Sequence, residues 1–178
     1  MSNSFISREH RGRVAACLDT AVAEGATLSI DGRLDPATHA NGSFLGPSLI
    51  DNAMPGMHCY DHEIFGPVLS VVRVATYAEA LRLINENPYG NGTAIFTQNG
   101  GAARQFQFAV EIGMVGINVP IPVPVSYYSF GGWKASLFGD LHMYGPEGVQ
   151  FYTRSKVVTS RWQDPGASKV DLAFPQVR

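Results

Sequence analysis

Between Val68 and Val119 three apolar, β-prone runs alternate with two helical patterns, an order that few folds accommodate. Val68-Leu69-Ser70-Val71-Val72-Arg73-Val74 is mostly apolar, as in a strand covered on both faces. Thr76-Tyr77-Ala78-Glu79 is a capping box and predicts a helix to about Asn87, ended by Pro88 and Gly90. Thr93 to Thr97 reads as a second strand. Asn99 can cap a second helix to about Ile112, with Phe106 and Val110 one turn apart and Gly113 as its stop. Met114 to Val119 reads as a third strand. Parallel strands require a crossover of about a dozen residues, and helices of this length supply it. Right-handed crossovers lay each helix on a sheet face. The expected fold class is α/β, an open, mostly parallel β-α-β-α-β sheet.

The flanks add local elements. Ser7 can cap a helix from Arg8 to about Glu24, with Glu9 in its first turn and Val14, Cys17, Leu18 and Val22 on one face. Gly25 ends it. Thr27 to Ile30 reads as a short strand followed by an Asp31-Gly32 turn. Phe44 to Ile50 reads as extended, interrupted at Gly46-Pro47. The run Pro120-Ile121-Pro122-Val123-Pro124 removes three backbone donors and favours polyproline geometry. A Gly- and aromatic-rich loop runs from Ser126 to Gly148. Gly148 to Thr153 and Lys156 to Trp162 read as β-prone. Residues 163–178 have weak pattern and are expected to be loose.

Composition excludes several classes. A 45% hydrophobic and 16% charged chain of net charge −2 is globular in character and offers no basic field for nucleic acid. No stretch approaches the roughly 18 apolar residues of a membrane span, and the first residues lack the basic-then-apolar pattern of a signal peptide. Two cysteines, Cys17 and Cys59, do not form a disulfide framework, so a reducing, cytoplasmic setting is expected.

Chemistry-bearing residues concentrate before the first strand of the alternating region. In Asp61-His62-Glu63-Ile64-Phe65-Gly66-Pro67-Val68, a carboxylate and an aromatic ring sit at a Gly-Pro turn. A carboxylate can accept hydrogen bonds from a ribose diol, and an aromatic edge can steady a neighbouring ring. Just upstream, His58, Cys59 and His62 crowd thiol and imidazole together, a combination that suits a nucleophile or a zinc ligand set. Against zinc, no second ligand pair stands at finger-like spacing, so no metal site is expected. Cys17 lies on an apolar helix face, where packing explains it. His142 reads as a surface or loop residue, and His10 and His39 carry no signal. Gly131-Gly132-Trp133-Lys134 lacks the Walker arrangement of a phosphate loop.

Five stretches together resemble the acylating methylmalonate-semialdehyde dehydrogenases, a branch of the NAD(P)-dependent aldehyde dehydrogenases. They are Glu63 to Val68, Asn87 to Thr97, Gly116 to Pro124, Ser129 to Lys134 and Gly148 to Thr153, in family order and at family-like spacing. The resemblance covers almost the whole chain, and the Pro-Ile-Pro-Val-Pro run points to this branch. It implies the C-terminal portion of an aldehyde dehydrogenase catalytic domain over residues 1–147, oligomerisation-arm-like β segments over 148–162, and a tail over 163–178. It further implies NAD as cofactor, with Glu63 and Phe65 at the nicotinamide ribose, and Phe130 lining an aldehyde pocket. In the family a thiolate attacks malonate or methylmalonate semialdehyde, hydride passes to NAD, the β-carboxylate is lost and coenzyme A takes the acyl group. The family's nucleophilic cysteine motif and Rossmann unit lie upstream of the matched region. Neither Cys17 nor Cys59 matches that motif, and Gly100-Gly101 lacks dinucleotide spacing.

The resulting expectation is an oxidoreductase portion that by itself lacks aldehyde oxidation. Its expected partners are a second copy of itself or a complementary N-terminal half, with no nucleic acid and no membrane. Two alternatives stand beside it. One is a non-catalytic oligomerising or complementing module. The other is a repurposed, cofactor-free enzyme in which Cys59, His58 and His62 act.

Overall fold

The computed structural model describes residues 3–36, 38 and 42–162. The expected loose tail, 163–178, and His39 lie outside the described residues. The chain divides into two compact units, Met1–Ile84 and Asn85–Arg178.

In the first unit, β1 (Asn3–Ser4) leads into α1 (Arg8–Ala23). Ser7 caps α1 as expected, its hydroxyl accepting from the His10 N–H at 3.1 Å. The buried face of α1 is Val14, Cys17, Leu18 and Ala21. Val22 is 49% exposed, so the small Ala21 takes the place expected of it. After β2 (Thr27–Ile30), Asp31 caps a short 3-10 turn. Next come β3 (Phe44–Leu45) and β4 (Ser48–Asp51), split at Gly46-Pro47. A single helical turn, α2 (His58–Asp61), precedes β5 (Val68–Ser70). The sheet order is β2-β4-β5, with β4 parallel to β5 and antiparallel to β2, while β1 pairs with β3. Cys17, Leu18, Ala21, Ala26, Ile50, Ala53, Met57 and Cys59 pack into one core between α1, α2 and the sheet. Each fully buried aliphatic side chain there contributes about 1.5–3 kcal/mol.

At the end of this unit begins α3 (Tyr77–Glu86). Its capping box is present: Glu79 N–H donates to Thr76 Oγ1 at 3.2 Å, and the Glu79 carboxylate reaches back to the Ala75 N–H at 3.0 Å.

The second unit continues with β6 (Tyr89–Gly90), β7 (Gly92–Ile95), α4 (Gly100–Ala109), β8 (Met114–Ile117), β9 (Trp133–Lys134) and α5 (Gly145–Tyr152). β7 and β8 are parallel from Gly92↔Met114 to Ile95↔Ile117, and α4 is their crossover. Ala103, Phe106, Val110 and Ile112 supply buried apolar surface. The order β5-α3-β7-α4-β8 is the one the apolar periodicity predicts. The fold is the expected α/β class with parallel strand pairs and no barrel.

The expected β reading of Gly148 to Thr153 needs correction: Gly148 to Tyr152 belongs to α5. Val149, Phe151 and Tyr152 favour strand, but Pro146 at the start and Glu147 in the first turn favour a helix, and Thr153 Oγ1 closes it on the Val149 carbonyl at 2.7 Å.

Candidate functional site

The turn from Glu63 to Pro67 lies between α2 and β5. Glu63 is exposed, and among the described residues its carboxylate has no protein partner. Phe65 adopts φ +51°, a left-handed conformation unusual for an aromatic residue, and its side chain is 72% exposed. Gly66 follows because nothing larger fits: a Cβ there would lie 2.9 Å from Val14 Cγ1 and 3.3 Å from Phe5 Cε1. The Pro67 carbonyl then accepts from Ser48 N–H at 2.8 Å and starts the β4–β5 ladder.

α1 supports this turn from across the unit. His10 Nε2 lies 2.9 Å from the Phe65 carbonyl oxygen, and Arg13 Nη2 lies 3.3 Å from His10 Nδ1. Arginine only donates, so Nδ1 accepts and the proton sits on Nε2, which donates to Phe65. The His10 ring also meets Phe5 edge-on, with centroids 5.2 Å apart. Ser7, His10, Arg13, Phe5, Phe65 and Gly66 line a cavity of about 380 Å³. This cavity has polar donors, an aromatic wall and an exposed ring, the mixture that small-molecule sites use. Nothing local ties His10 to Phe65, 55 positions away, so this role has no sequence signal, and Arg13 joins the site only through His10.

The structure separates the His58, Cys59 and His62 group. His58 and His62, one turn apart, stay on the surface with their rings stacked at 4.5 Å. Cys59 turns into the core, 5% exposed, and burial pushes its thiol pKa up. Cys17 is 7% exposed and is shifted up in the same way, by burial first and by Cys59 second. A reactive cysteine needs a lowered pKa and access, and neither thiol has them. The assignment of Cys59 with His58 and His62 as a nucleophilic site is therefore corrected to core packing beside a surface ring stack. Among the described residues no group of three or more His, Cys, Asp or Glu side chains could hold a metal ion.

In the second unit, Phe130 lies where the proline run and the aromatic loop meet. It lines two cavities, of about 270 and 430 Å³. Val123, Pro124, Ser126, Tyr128 and Tyr144 bound the first with it, and Pro120 to Val123 bound the second. The Phe130 ring meets Tyr144 edge-on at 5.7 Å. Gly131 and Gly132 pass close to neighbouring backbone: a Cβ on Gly132 would lie 2.7 Å from Asn91 Cα. Lys134 Nζ donates to the carbonyls of Asn85 (2.8 Å) and Asn87 (3.1 Å), near the end of α3. His142, expected at the surface or in a loop, lies in the loop before α5, with its side chain only 17% exposed and 3.4 Å from Glu147. At α4 the Asn99 side chain occupies the Gly101 and Ala102 amides, which leaves that helix end capped by protein.

The fold and these motifs define an aldehyde dehydrogenase portion. The chain belongs to the aldehyde dehydrogenase family, whose model matches residues 2–158. More particularly, it is 56% identical over 97% of its length to the malonate-semialdehyde dehydrogenase of Pseudomonas aeruginosa, covering 35% of that protein. It is 48% identical over 97% of its length to the mitochondrial methylmalonate-semialdehyde/malonate-semialdehyde dehydrogenase [acylating] of Bos taurus, covering 32% of it. Among solved structures, it matches methylmalonate-semialdehyde dehydrogenase from Oceanimonas doudoroffii with a TM-score of 0.85 and 54% identity, over 92% of this chain and 34% of that one. It also matches betaine aldehyde dehydrogenase from Staphylococcus aureus in complex with NAD+, with a TM-score of 0.74 and 34% identity, over 84% of this chain and 29% of that one. The chain thus spans about a third of the length of the relatives it matches.

Proposed function

We propose that this chain forms the C-terminal part of the catalytic domain of an acylating malonate- or methylmalonate-semialdehyde dehydrogenase. The observation that carries the reading is the Phe65 turn: an exposed ring on left-handed backbone, braced by His10, at the wall of a mainly apolar cavity that Arg13 also lines. Glu63 accepts hydrogen bonds from the ribose diol of a nicotinamide nucleotide, and Phe65 steadies the ring beside it. Arg13 adds a donor at the cavity that Phe65 lines. NAD, when bound, supplies the hydride acceptor. In the second unit, Phe130 and its apolar neighbours shape an aldehyde pocket.

The reactive thiol and the dinucleotide-binding unit belong to the remaining two thirds of such an enzyme. Both thiols of this chain are core groups, so by itself it performs no aldehyde oxidation. NADH formation from malonate semialdehyde tests this directly. The expected result is no turnover with the 178-residue chain and turnover when the upstream part of the Pseudomonas aeruginosa relative is supplied. Turnover by the chain alone overturns the reading.

A second copy or the complementary upstream half is the proposed partner. The exposure of Phe138 (98%), Val157 (91%) and Trp162 (94%) supports it, since apolar groups left this bare favour association. A monodisperse monomer in light scattering that takes up no upstream partner would count against it.

A further inference from the structure

Two distant points of the loop that carries Phe130 meet at one carboxylate. Glu147, in the first turn of α5, receives the Ser129 hydroxyl at 2.5 Å on its Oε2. The same oxygen accepts the His142 N–H at 3.2 Å and lies 3.4 Å from His142 Nδ1. Ser129 Oγ also lies 3.2 Å from the Tyr144 carbonyl, but a hydroxyl has one proton, and the shorter path to a charged acceptor takes it. Because the serine donates directly to the carboxylate, with no imidazole between them, the trio is not a nucleophilic triad.

Two points of the loop 13 positions apart in sequence, Ser129 and His142, therefore meet at one atom. The same segment is also anchored by the β6–β9 pairing, by the Ala135 N–H on the Pro88 carbonyl at 3.1 Å and by the Gly90 N–H on Ser136 Oγ at 2.9 Å. The His142 ring lies against Gly131, where a Cβ would be 3.2 Å from Cδ2. Gly145, at φ +63°, passes Tyr127, where a Cβ would be 2.5 Å from the carbonyl oxygen. Ser129 immediately precedes Phe130, and Tyr144, which contacts the Phe130 ring, lies three residues before Glu147. The hydrogen bond from Ser129 holds the Glu147 carboxyl below the usual carboxylate range, so it stays ionised and keeps its grip at neutral pH.

We propose that Glu147 is a positioning residue for the aldehyde pocket: by tying Ser129 to His142 it holds the 129–145 loop shut and fixes Phe130 between its two cavities. The pocket role of Phe130 rests on the function proposed above, whereas the closure itself does not.

Hydrogen exchange on the 178-residue chain tests the closure. Glu147→Ala removes the acceptor, and Glu147→Gln restores an uncharged acceptor of the same reach. Amides of the loop are expected to exchange about tenfold faster in Glu147→Ala, with Gln in between, as for the loss of charge-assisted hydrogen bonds. Amides of β7 and β8 are expected to be unchanged. Wild-type protection in Glu147→Ala, or equal loosening of β7 and β8, overturns the proposal. With the upstream part supplied, Glu147→Ala is expected to raise KM for the semialdehyde several-fold with kcat within about twofold, the signature of lost substrate positioning. A loosened loop with unchanged KM also overturns it. If the unmodified chain gains no activity with the upstream part, the function proposed above fails instead, and the exchange comparison alone decides whether Glu147 holds the loop.

Discussion

His10 Nε2 donates to the Phe65 carbonyl at 2.9 Å, so a side chain on the first turn of α1 holds the backbone of the turn that opens β5. His10→Ala leaves that carbonyl to water and should cost about 1 kcal/mol. His10→Gln, which keeps an N–H donor, should recover part of it. Urea unfolding midpoints measure both, and identical midpoints for wild type and His10→Ala would show that the contact carries no weight.

Phe65 itself should be dispensable for the fold. A non-glycine residue in the left-handed region costs roughly 1–2 kcal/mol, and glycine relieves that while adding a similar entropic penalty. The 72% exposed ring buries little. Phe65→Gly should therefore unfold within about 1 kcal/mol of wild type. A much larger loss would mean that the ring packs against something in solution.

The two thiols should be silent in the native chain. Burial raises both pKa values and keeps reagents out. Ellman's reagent at neutral pH should titrate neither Cys17 nor Cys59 rapidly, and both after addition of urea. Rapid native labelling that is lost in Cys59→Ala would reinstate Cys59 as an accessible nucleophile.

Asn118 closes the ends of β7 and β8. Its side-chain oxygen accepts from Thr97 N–H at 2.8 Å, its amide donates to the Thr97 carbonyl at 3.0 Å, and its backbone sits at φ +57°. Asn118→Ala loses both bonds and puts a poor residue in a left-handed position, for a total of about 2–3 kcal/mol. Asn118→Gly loses the bonds but not the conformation and should cost less. The reverse order in chemical unfolding would refute this account.

Acid should weaken the first unit partly through Asp31. The paired Arg33 guanidinium, bonding at 2.9 Å and 2.7 Å, holds the Asp31 carboxyl below its ordinary value. A depressed folded pKa means that the stabilisation is complete above the unfolded pKa, near 4, and is lost as pH falls through the folded one. Asp31→Asn should flatten the decline in stability below about pH 4. Parallel pH profiles for variant and wild type would assign the decline to other carboxylates.

Local signals carried the secondary structure well. Ser7, Thr76 with Glu79, and Asn99 all cap the helices that their positions predict, because a cap involves only the next three residues. The strand order from β5 to β8 followed from apolar runs separated by helices. α5 departs from the expected strand because the helix-start signal of Pro146 and Glu147 prevails over the β propensity of Val149, Phe151 and Tyr152. The candidate site was half legible. Glu63, Phe65 and Phe130 stand in short motifs, whereas His10 and Glu147 act on residues farther along the chain.

The amino-acid sequence by itself determined the α/β class, the starts of α1, α3 and α4, and the family. All of these rest on periodicity and short motifs, which are properties of neighbouring residues. Only the tertiary structure decided that Cys59 is core while His58 and His62 are surface, that His10 braces Phe65, and that Glu147 ties Ser129 to His142. Burial and the pairing of distant polar groups depend on which segments pack together, and that follows from the whole chain minimising exposed apolar area and unpaired donors at once.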